Sequence, residues 1–96
     1  MKLKDQIHAI KLLENFSDEI QNFKKKLIKE HIKKKFNNLK LLVALEKLTE
    51  YEFKIYKKFN QYYSFTTDIE IQQLYNNFSE IKKKCQQFVE SYIKEE

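Results

Sequence analysis

Lysines form the densest cluster of reactive side chains in this 96-residue sequence. Residues 24–35 contain seven lysines and a single acid, Glu30. If the segment is helical, four of the lysines share one face, opposite Ile20, Phe23 and Leu27, because a helix repeats every 3.6 residues. These four are Lys25, Lys26, Lys29 and Lys33. Such a face predicts binding of a polyanion, either nucleic acid phosphates or an anionic membrane surface.

An alternative interpretation of this face is a solvated surface without a ligand. All 19 basic residues are lysine, and the sequence has no Gly and no Pro. Codons for Gly, Pro and most Arg are GC-rich, so an AT-rich coding sequence explains the same composition. Without Arg, the bidentate contacts that read guanine and grip phosphate are missing. Any nucleic-acid binding is therefore expected to be non-specific and sensitive to salt.

Aromatic side chains form a second concentration, over residues 51–65. Seven of these fifteen residues are Tyr or Phe, which is more than one helix face can direct into a core. Tyrosine is enriched at the hot spots of protein interfaces, and its ring can also stack on a base. We predict a protein-binding patch that includes Tyr56, Tyr63 and Phe65. The alternative is that these rings belong to the core and its edge.

The other reactive groups predict no catalytic residues, no metal site and no cofactor. A lone Cys85 excludes an internal disulfide and a Cys-based zinc site. Its apolar heptad position predicts a small buried core residue. Asp5, His8 and His31 make a poor set of metal ligands, and no glycine loop exists to cradle phosphate or to form an oxyanion hole. The sequence therefore favours a protein that is not an enzyme.

Helices must position these groups, and the last helix has the clearest pattern. Thr67 and Glu70 fit a capping box, in which each side chain satisfies a backbone N–H at the helix start. We predict a helix over residues 67–94. Its seam repeats with 3-4 spacing, through Ile71, Leu74, Phe78, Ile81, Cys85, Phe88 and Tyr92.

An earlier apolar stripe predicts a helix over residues 38–63. Glu52 interrupts this stripe, and a buried carboxylate usually needs a partner. A nearby Lys or Tyr hydroxyl is the expected partner. The apolar members of the stripe are Leu39, Leu42, Leu45, Leu48, Ile55, Phe59 and Tyr62.

The first third of the chain has two apolar stripes, over residues 3–13 and 16–27. One helix over residues 3–36 would be about 50 Å long and would overhang its partners. Ser17 offers an N-cap followed by acids. We therefore predict an all-α antiparallel bundle of four helices, with three helices and a kinked first helix as the alternative. The predicted helices span residues 3–14, 18–36, 38–63 and 67–94.

Length and hydropathy predict one domain over residues 1–96 and a cytoplasmic location. A chain of this length suffices for one domain and not for two. There is no run of 18 apolar residues, and hence no expected membrane span. The N-terminal residues lack the continuous apolar stretch of a secretory signal.

One predicted helix carries Glu50-Tyr51-Glu52 and Tyr56, and the next carries Asp68, Leu74 and Glu80. With these residues, the stretch 45–93 resembles half of a ferritin-like bundle. That family carries a Glu-x-x-His pair on its second helix. The corresponding stretch here reads Glu80-Ile81-Lys82-Lys83, so a lysine stands at the position of the histidine ligand. The resemblance implies, as an alternative, a ferritin-like remnant that lacks its metal ligands.

A second resemblance is carried by four stretches spread over nearly the whole chain: Asp5-Gln6-Ile7-His8, Leu45-Glu46-Lys47, Phe65-Thr66 and Asn77-Phe78-Ser79-Glu80-Ile81. In these the chain is similar to the immunity proteins that protect producers of pediocin-like bacteriocins. Members of that family are small cytoplasmic four-helix bundles. The resemblance therefore implies a bundle of this kind with an immunity role.

These observations together favour a non-enzymatic interaction protein. The expected partner is another protein, bound in a bacteriocin-immunity or inhibitory role. The alternative partner is nucleic acid or an anionic membrane surface, bound through the lysine face. A homodimer stays open as well, because a second copy could close a face that one copy leaves exposed.

Overall fold

The computed structural model describes residues 3–34, 37–62 and 67–94, which form three α-helices and no strand. The Cα atoms fill an envelope of 50 × 16 × 15 Å, so the helices lie side by side as a rod. The all-α bundle expected from the sequence is confirmed for these residues. The helices are α1 (Leu3–Lys34), α2 (Asn38–Tyr62) and α3 (Asp68–Lys94).

Side-chain contacts show that the three helices run up, down and up. The hydroxyls of Ser17 and Tyr56 share a hydrogen bond of 3.2 Å between α1 and α2. Nearer the turn, His31 Nε2 lies 3.0 Å from Asn38 Oδ1, so residue numbers rise along α1 as they fall along α2. Lys34 Nζ donates to the carbonyl of Ile93 at 2.8 Å, which joins the C-terminal ends of α1 and α3.

The prediction of four helices is wrong, because α1 continues without interruption through residues 15–17. Its core positions form one seam with 4-3-4-3-4 spacing, which keeps a single face toward α2 and α3. The start of this seam was missed because Ala9 contributes little hydrophobicity, although it is fully buried. The hydroxyl of Ser17 contacts Tyr56 of α2. The seam consists of Ala9, Leu13, Phe16, Ile20, Phe23 and Leu27.

The overhang that the sequence argued against exists at the start of α1. Counting from the contact between Ser17 and Tyr56, six residues of α2 remain before its end, whereas fourteen residues of α1 remain toward Leu3. At 1.5 Å per residue, α1 extends about 12 Å past the end of α2. Ile7 and Ile10 lie at this extension and are exposed. These two members of the first predicted stripe are therefore outside the core, whereas Leu13 packs against it.

The predicted seam of α3 is confirmed. Six of its seven members belong to the core or pack against it, and Ile71 is buried as well. Phe16 of α1 packs edge-on against two rings of α3, with centroid distances of 5.3 Å to Phe78 and 5.8 Å to Tyr75. Edge-to-face ring pairs of this kind add stability to that which comes from the apolar area they bury.

Polar caps begin the second and third helices. Asn37 Oδ1 accepts the N–H of Leu39 at 2.7 Å, and Thr67 Oγ1 accepts the N–H of Glu70 at 3.2 Å. Each cap satisfies a backbone donor that the first helical turn leaves without an internal partner. The capping role predicted for Thr67 is confirmed. The Glu70 carboxylate contacts the Thr67 hydroxyl at 3.4 Å.

Candidate functional site

The four lysines predicted to bind a polyanion lie on the solvent side of α1. Lys25, Lys26, Lys29 and Lys33 are all exposed. Within the residues described, none of them has a carboxylate oxygen within 4.0 Å. Their ammonium groups therefore present an uncompensated positive charge to solvent.

Lys24 points in a different direction and serves the packing of α1 on α2. Its Nζ lies 3.9 Å from Glu52 Oε2, and the Glu52 side chain is only 19% exposed. Gln21 Nε2 also donates a hydrogen bond to this Glu52 oxygen. The expected lysine partner of Glu52 is thus confirmed, and these polar contacts occupy the middle of the boundary between α1 and α2.

Of the three residues predicted to form an aromatic protein-binding patch, the structure describes Tyr56. Its side chain is 41% exposed, and its hydroxyl is bonded to Ser17 across the boundary between α1 and α2. Tyr63 and Phe65 lie outside the described residues. Phe53, on the outer face of α2, is more exposed than Tyr56.

A different apolar surface lies at the end of the rod where α1 finishes and α2 begins. Its five large aliphatic side chains form what we call the end patch. Their exposed fractions are 42% for Ile28, 72% for Ile32, 69% for Leu39, 62% for Leu42 and 58% for Val43. Single exposed apolar residues are common, whereas a contiguous group marks an interaction surface.

Ile28 and Leu42 lie on opposite sides of the groove between α1 and α2, at the same level. Ile28 follows Lys24 by one helical turn, and Leu42 follows Asn38 by one turn. Lys24 and Asn38 both contact the opposite helix. Ile32 continues the same face of α1 one turn further on. These three side chains form the α1 side of the end patch.

Leu39 and Val43 form the other side of the end patch, along the groove between α2 and α3. This groove has a volume of about 520 Å³ and is also lined by Ala44, Phe88 and Tyr92. The groove is open to solvent, and its lining is mostly apolar. Lys40 stands at the groove, with its Nζ 5.2 Å from the centroid of the Tyr92 ring.

The sequence interpretation of α2 placed Leu39 and Leu42 in the core, and the structure contradicts this. Residues three apart on a helix are separated by about 300°, so each step in the series Leu39, Leu42, Leu45 and Leu48 turns the stripe back by about 60°. Leu48 is fully buried, and the small residue Ala44 occupies the core position one turn before it. The signal that could have revealed the end patch was this unbroken spacing of three.

Cys85 is buried and has a free thiol, as predicted. Burial raises the pKa of the Cys85 thiol to about 12, from an ordinary value of 9.0, and the charge of Lys24 acts in the opposite direction. The thiolate is the reactive form of cysteine. Cys85 therefore acts as a small core residue of α3.

The native protein is expected to react only slowly with a thiol-specific reagent at pH 8. With a pKa of about 12, only about 10⁻⁴ of the Cys85 thiol is ionised at that pH. Because the folded state keeps its proton more tightly than the unfolded state, stability should fall as the pH rises from 9 toward 12. The reagent releases a coloured thiolate as it reacts with Cys85, and the absorbance of that product gives the rate. Denatured protein, in which Cys85 is accessible, is the control. Equal rates in both states would contradict the buried thiol.

Metal ligands do not gather in the part of the chain that the structure describes. There, no three His, Cys, Asp or Glu side chains are placed to hold an ion. The ferritin-like alternative accordingly has no ligand set among these residues.

Within residues 3–34, 37–62 and 67–94, no helix combines the length and the apolar character needed to cross a bilayer.

Comparison with protein-family models, curated proteins and solved structures finds no match to this chain. The class that the fold defines is an all-α helical bundle.

Proposed function

We propose that this chain is a non-enzymatic interaction protein that binds a protein partner through the end patch. The observation that supports the proposal is the group of five large aliphatic side chains exposed together at one end of the rod. Fully burying a Leu or Ile side chain is worth about 1.5–3 kcal/mol. Covering even half of this surface would supply several kcal/mol toward association.

The position of the end patch also supports a role in binding. Elsewhere in the described part of the chain, large exposed apolar side chains lie near the middle of the rod or toward its opposite end, on several faces. These others are Ile7, Ile10, Phe53, Tyr56, Ile69 and Tyr75. The end patch is therefore the densest apolar surface, and it adjoins the 520 Å³ groove between α2 and α3.

Capture from a lysate of the source cells tests the proposal. The double variant Ile32→Ser/Leu42→Ser should retain at least about tenfold less of a partner than the native chain, because truncating central contacts typically costs more than 1 kcal/mol each. Phe53→Ser/Ile69→Ser is the matched control, since these side chains are 67% and 72% exposed but lie outside the end patch. Mass spectrometry would identify the partner, and binding would be repeated with both proteins purified. No retained protein, or equal loss in both variants, contradicts the proposal.

A bacteriocin-immunity role is the narrower form of this proposal. It rests on the sequence resemblance, although the described residues form three helices where that family has four. Expression in a bacteriocin-sensitive strain should raise survival, and Ile32→Ser/Leu42→Ser should remove the protection. Unchanged sensitivity rejects the immunity role and leaves protein binding untouched.

A second candidate function is non-specific binding of a polyanion by the lysine face of α1. The observation that favours it is the exposure of Lys25, Lys26, Lys29 and Lys33 with no carboxylate within 4.0 Å in the described chain. Phosphate groups of a nucleic acid or of an anionic membrane would supply the missing countercharge.

If four lysines contact phosphates, affinity for duplex DNA should fall about 10²-fold between about 50 and 200 mM salt, because each contact releases a counterion. Lys25→Glu/Lys29→Glu/Lys33→Glu should abolish binding to DNA and to anionic vesicles. Lys11→Glu/Lys57→Glu/Lys83→Glu is the control, since it changes the net charge equally at exposed positions elsewhere. Fluorescence anisotropy gives both affinities. Absent or salt-independent binding rejects this function.

A further inference from the structure

We infer that the end patch takes an amphipathic helix of the partner, one whose apolar face is bordered by Asp and Glu. The inference rests on the proposed protein-binding function and adds the chemistry of the partner segment. Three features carry it: the shape of the patch, its length, and the charge along its rim.

The shape of the end patch suits side chains that insert between helices. The patch curves over the start of α2, with Ile28, Ile32 and Leu42 on its α1 side and Leu39 and Val43 on its α3 side. The groove on the α3 side has Ala44, Phe88 and Tyr92 at its walls. This apolar groove is open to solvent along its length, so the side chains of a partner helix can lie along it, whereas a membrane surface offers no side chains.

The length of the end patch corresponds to a short helix. Residues 28–32 of α1 and 39–43 of α2 each extend about 6 Å, a little more than one turn. Amphipathic helices bind such surfaces through apolar anchors one turn apart, at i and i+3 or i+4, and four residues of helix rise about 6 Å. A partner helix of about three turns, with its central anchors over the patch, spans this distance.

The rim of the end patch is positively charged on its α1 side. Lys25 lies three residues before Ile28, and Lys29 three residues before Ile32, so each lysine neighbours a patch residue on the helix surface. Lys33 follows Lys29 by one turn. We call Lys25, Lys29 and Lys33 the lysine border; within the described chain none has a carboxylate within 4.0 Å.

The α2 side of the rim carries a carboxylate, that of exposed Glu46, one turn beyond Leu42. Lys47, one turn beyond Val43, is paired with Glu50 at 3.7 Å, and Lys40 stands at the groove between α2 and α3, so the rim as a whole keeps a positive excess. A partner helix with acidic flanks would neutralise the lysine border, because complementary charge across a rim fixes orientation and speeds association.

A second copy of this chain fits the end patch poorly. A two-fold interface places the same surface patch on both copies. The lysine borders of both copies would then approach the same interface, and like charges brought together weaken association. Full-length protein should therefore stay monomeric in sedimentation at moderate salt.

Two synthetic helical peptides test the inference directly. Both carry the same Leu anchors, one with Glu and the other with Lys at the flanking positions, and both are labelled for fluorescence anisotropy with the full chain. We expect the Glu peptide to bind at least about tenfold more tightly than the Lys peptide, and this preference to shrink as salt screens the charges.

Variants separate the apolar from the charged part of the surface. Ile32→Ser/Leu42→Ser should weaken binding of the Glu peptide at least about tenfold. Lys25→Glu/Lys29→Glu/Lys33→Glu should reverse the preference between the two peptides. The controls Phe53→Ser/Ile69→Ser and Lys11→Glu/Lys57→Glu/Lys83→Glu should keep the native affinities within about threefold, as expected for substitutions outside the surface.

Several outcomes would overturn the inference. Equal binding of both peptides, or binding of neither, shows that acidic flanks do not decide recognition. If, in that case, Ile32→Ser/Leu42→Ser still captures less partner from the lysate than the native chain does, the proposed function stands and only the helix inference fails. Binding to phosphatidylserine vesicles but to neither peptide assigns the surface to a membrane. A concentration-dependent dimer that Ile32→Ser/Leu42→Ser dissolves assigns it to a second copy.

Discussion

Phe78→Ala is expected to lower the free energy of unfolding by about 3–5 kcal/mol, as deletion of a buried aromatic ring usually does. Phe78 is fully buried in the seam of α3, and its ring packs against that of Phe16 at 5.3 Å. The substitution leaves a cavity and also removes an edge-to-face contact. Because small domains are stable by only about 5–15 kcal/mol, this single change removes a large share of the total. Urea unfolding followed by far-UV circular dichroism measures the loss.

Phe53→Ala is the matched control for this prediction. The same ring is deleted from a side chain that is 67% exposed, so the expected change is within about 0.5 kcal/mol. Phe78→Leu leaves a smaller cavity and should cost about 1–2 kcal/mol, which keeps the test measurable if Phe78→Ala does not fold. Similar losses for Phe53→Ala and Phe78→Ala would show that the seam of α3 does not form the core.

The sequence was sufficient for α3 because three independent signals agree there. The 3-4 spacing holds from Ile71 to Tyr92, a cap stands at Thr67, and large side chains occupy most seam positions. When large apolar residues lie on a single helix face, only one rotation of the helix about its axis buries them. Agreement between local and tertiary preferences of this kind is what makes a segment predictable.

The first helix was misread because apolar character alone does not mark the core. The isoleucines at 7, 10, 28 and 32 are strongly apolar yet exposed, whereas Ala9 is fully buried. If only the large apolar residues are considered, the seam moves to another face of the helix near residue 15. The seam that packs includes the small residue and has no change of phase.

For the candidate site, the lysine face followed from the sequence and the end patch did not. The exposure of lysines can be predicted from the sequence, because an unpaired ammonium group is almost never buried. Exposed leucines give a weaker signal: Leu39 and Leu42 continue the series of partly buried Leu45 and buried Leu48, and only its unbroken spacing of three indicates that the stripe turns away from the core. Only the packing of α2 against both partners decides which of the four lie outside.

Asp18→Pro is expected to destabilise the protein by about 3 kcal/mol or more, because residue 18 lies inside a continuous helix. Proline there removes the backbone hydrogen bond to the carbonyl of residue 14, and its ring clashes with that carbonyl. Asp18 is exposed, so no core contact is lost with the aspartate itself. If a helix instead began after Ser17, residue 18 would be a first helical position, where proline is favoured.

Asp68→Pro is the matched control, since Asp68 is exposed and is the first residue of α3 after the Thr67 cap. The first N–H of a helix has no partner within the helix, so proline at residue 68 removes no backbone hydrogen bond. The expected loss of stability is therefore only that of removing the Asp68 carboxylate from the helix start, about 0.3–1 kcal/mol. Urea unfolding compares the two variants. Small and equal losses would mean that α1 is broken at Ser17.

Alanine at residues 18 and 68 also tests the continuity of α1, because the two substitutions are expected to change the free energy of unfolding in opposite directions. Asp18→Ala should stabilise the protein by about 0.5 kcal/mol, because alanine is the better residue within a helix. Asp68→Ala should destabilise it by about 0.3–1 kcal/mol, because the acid interacts favourably with the helix N-terminus. Destabilisation by both substitutions would place a helix start at residue 18. Opposite signs are the result that a single 32-residue α1 requires.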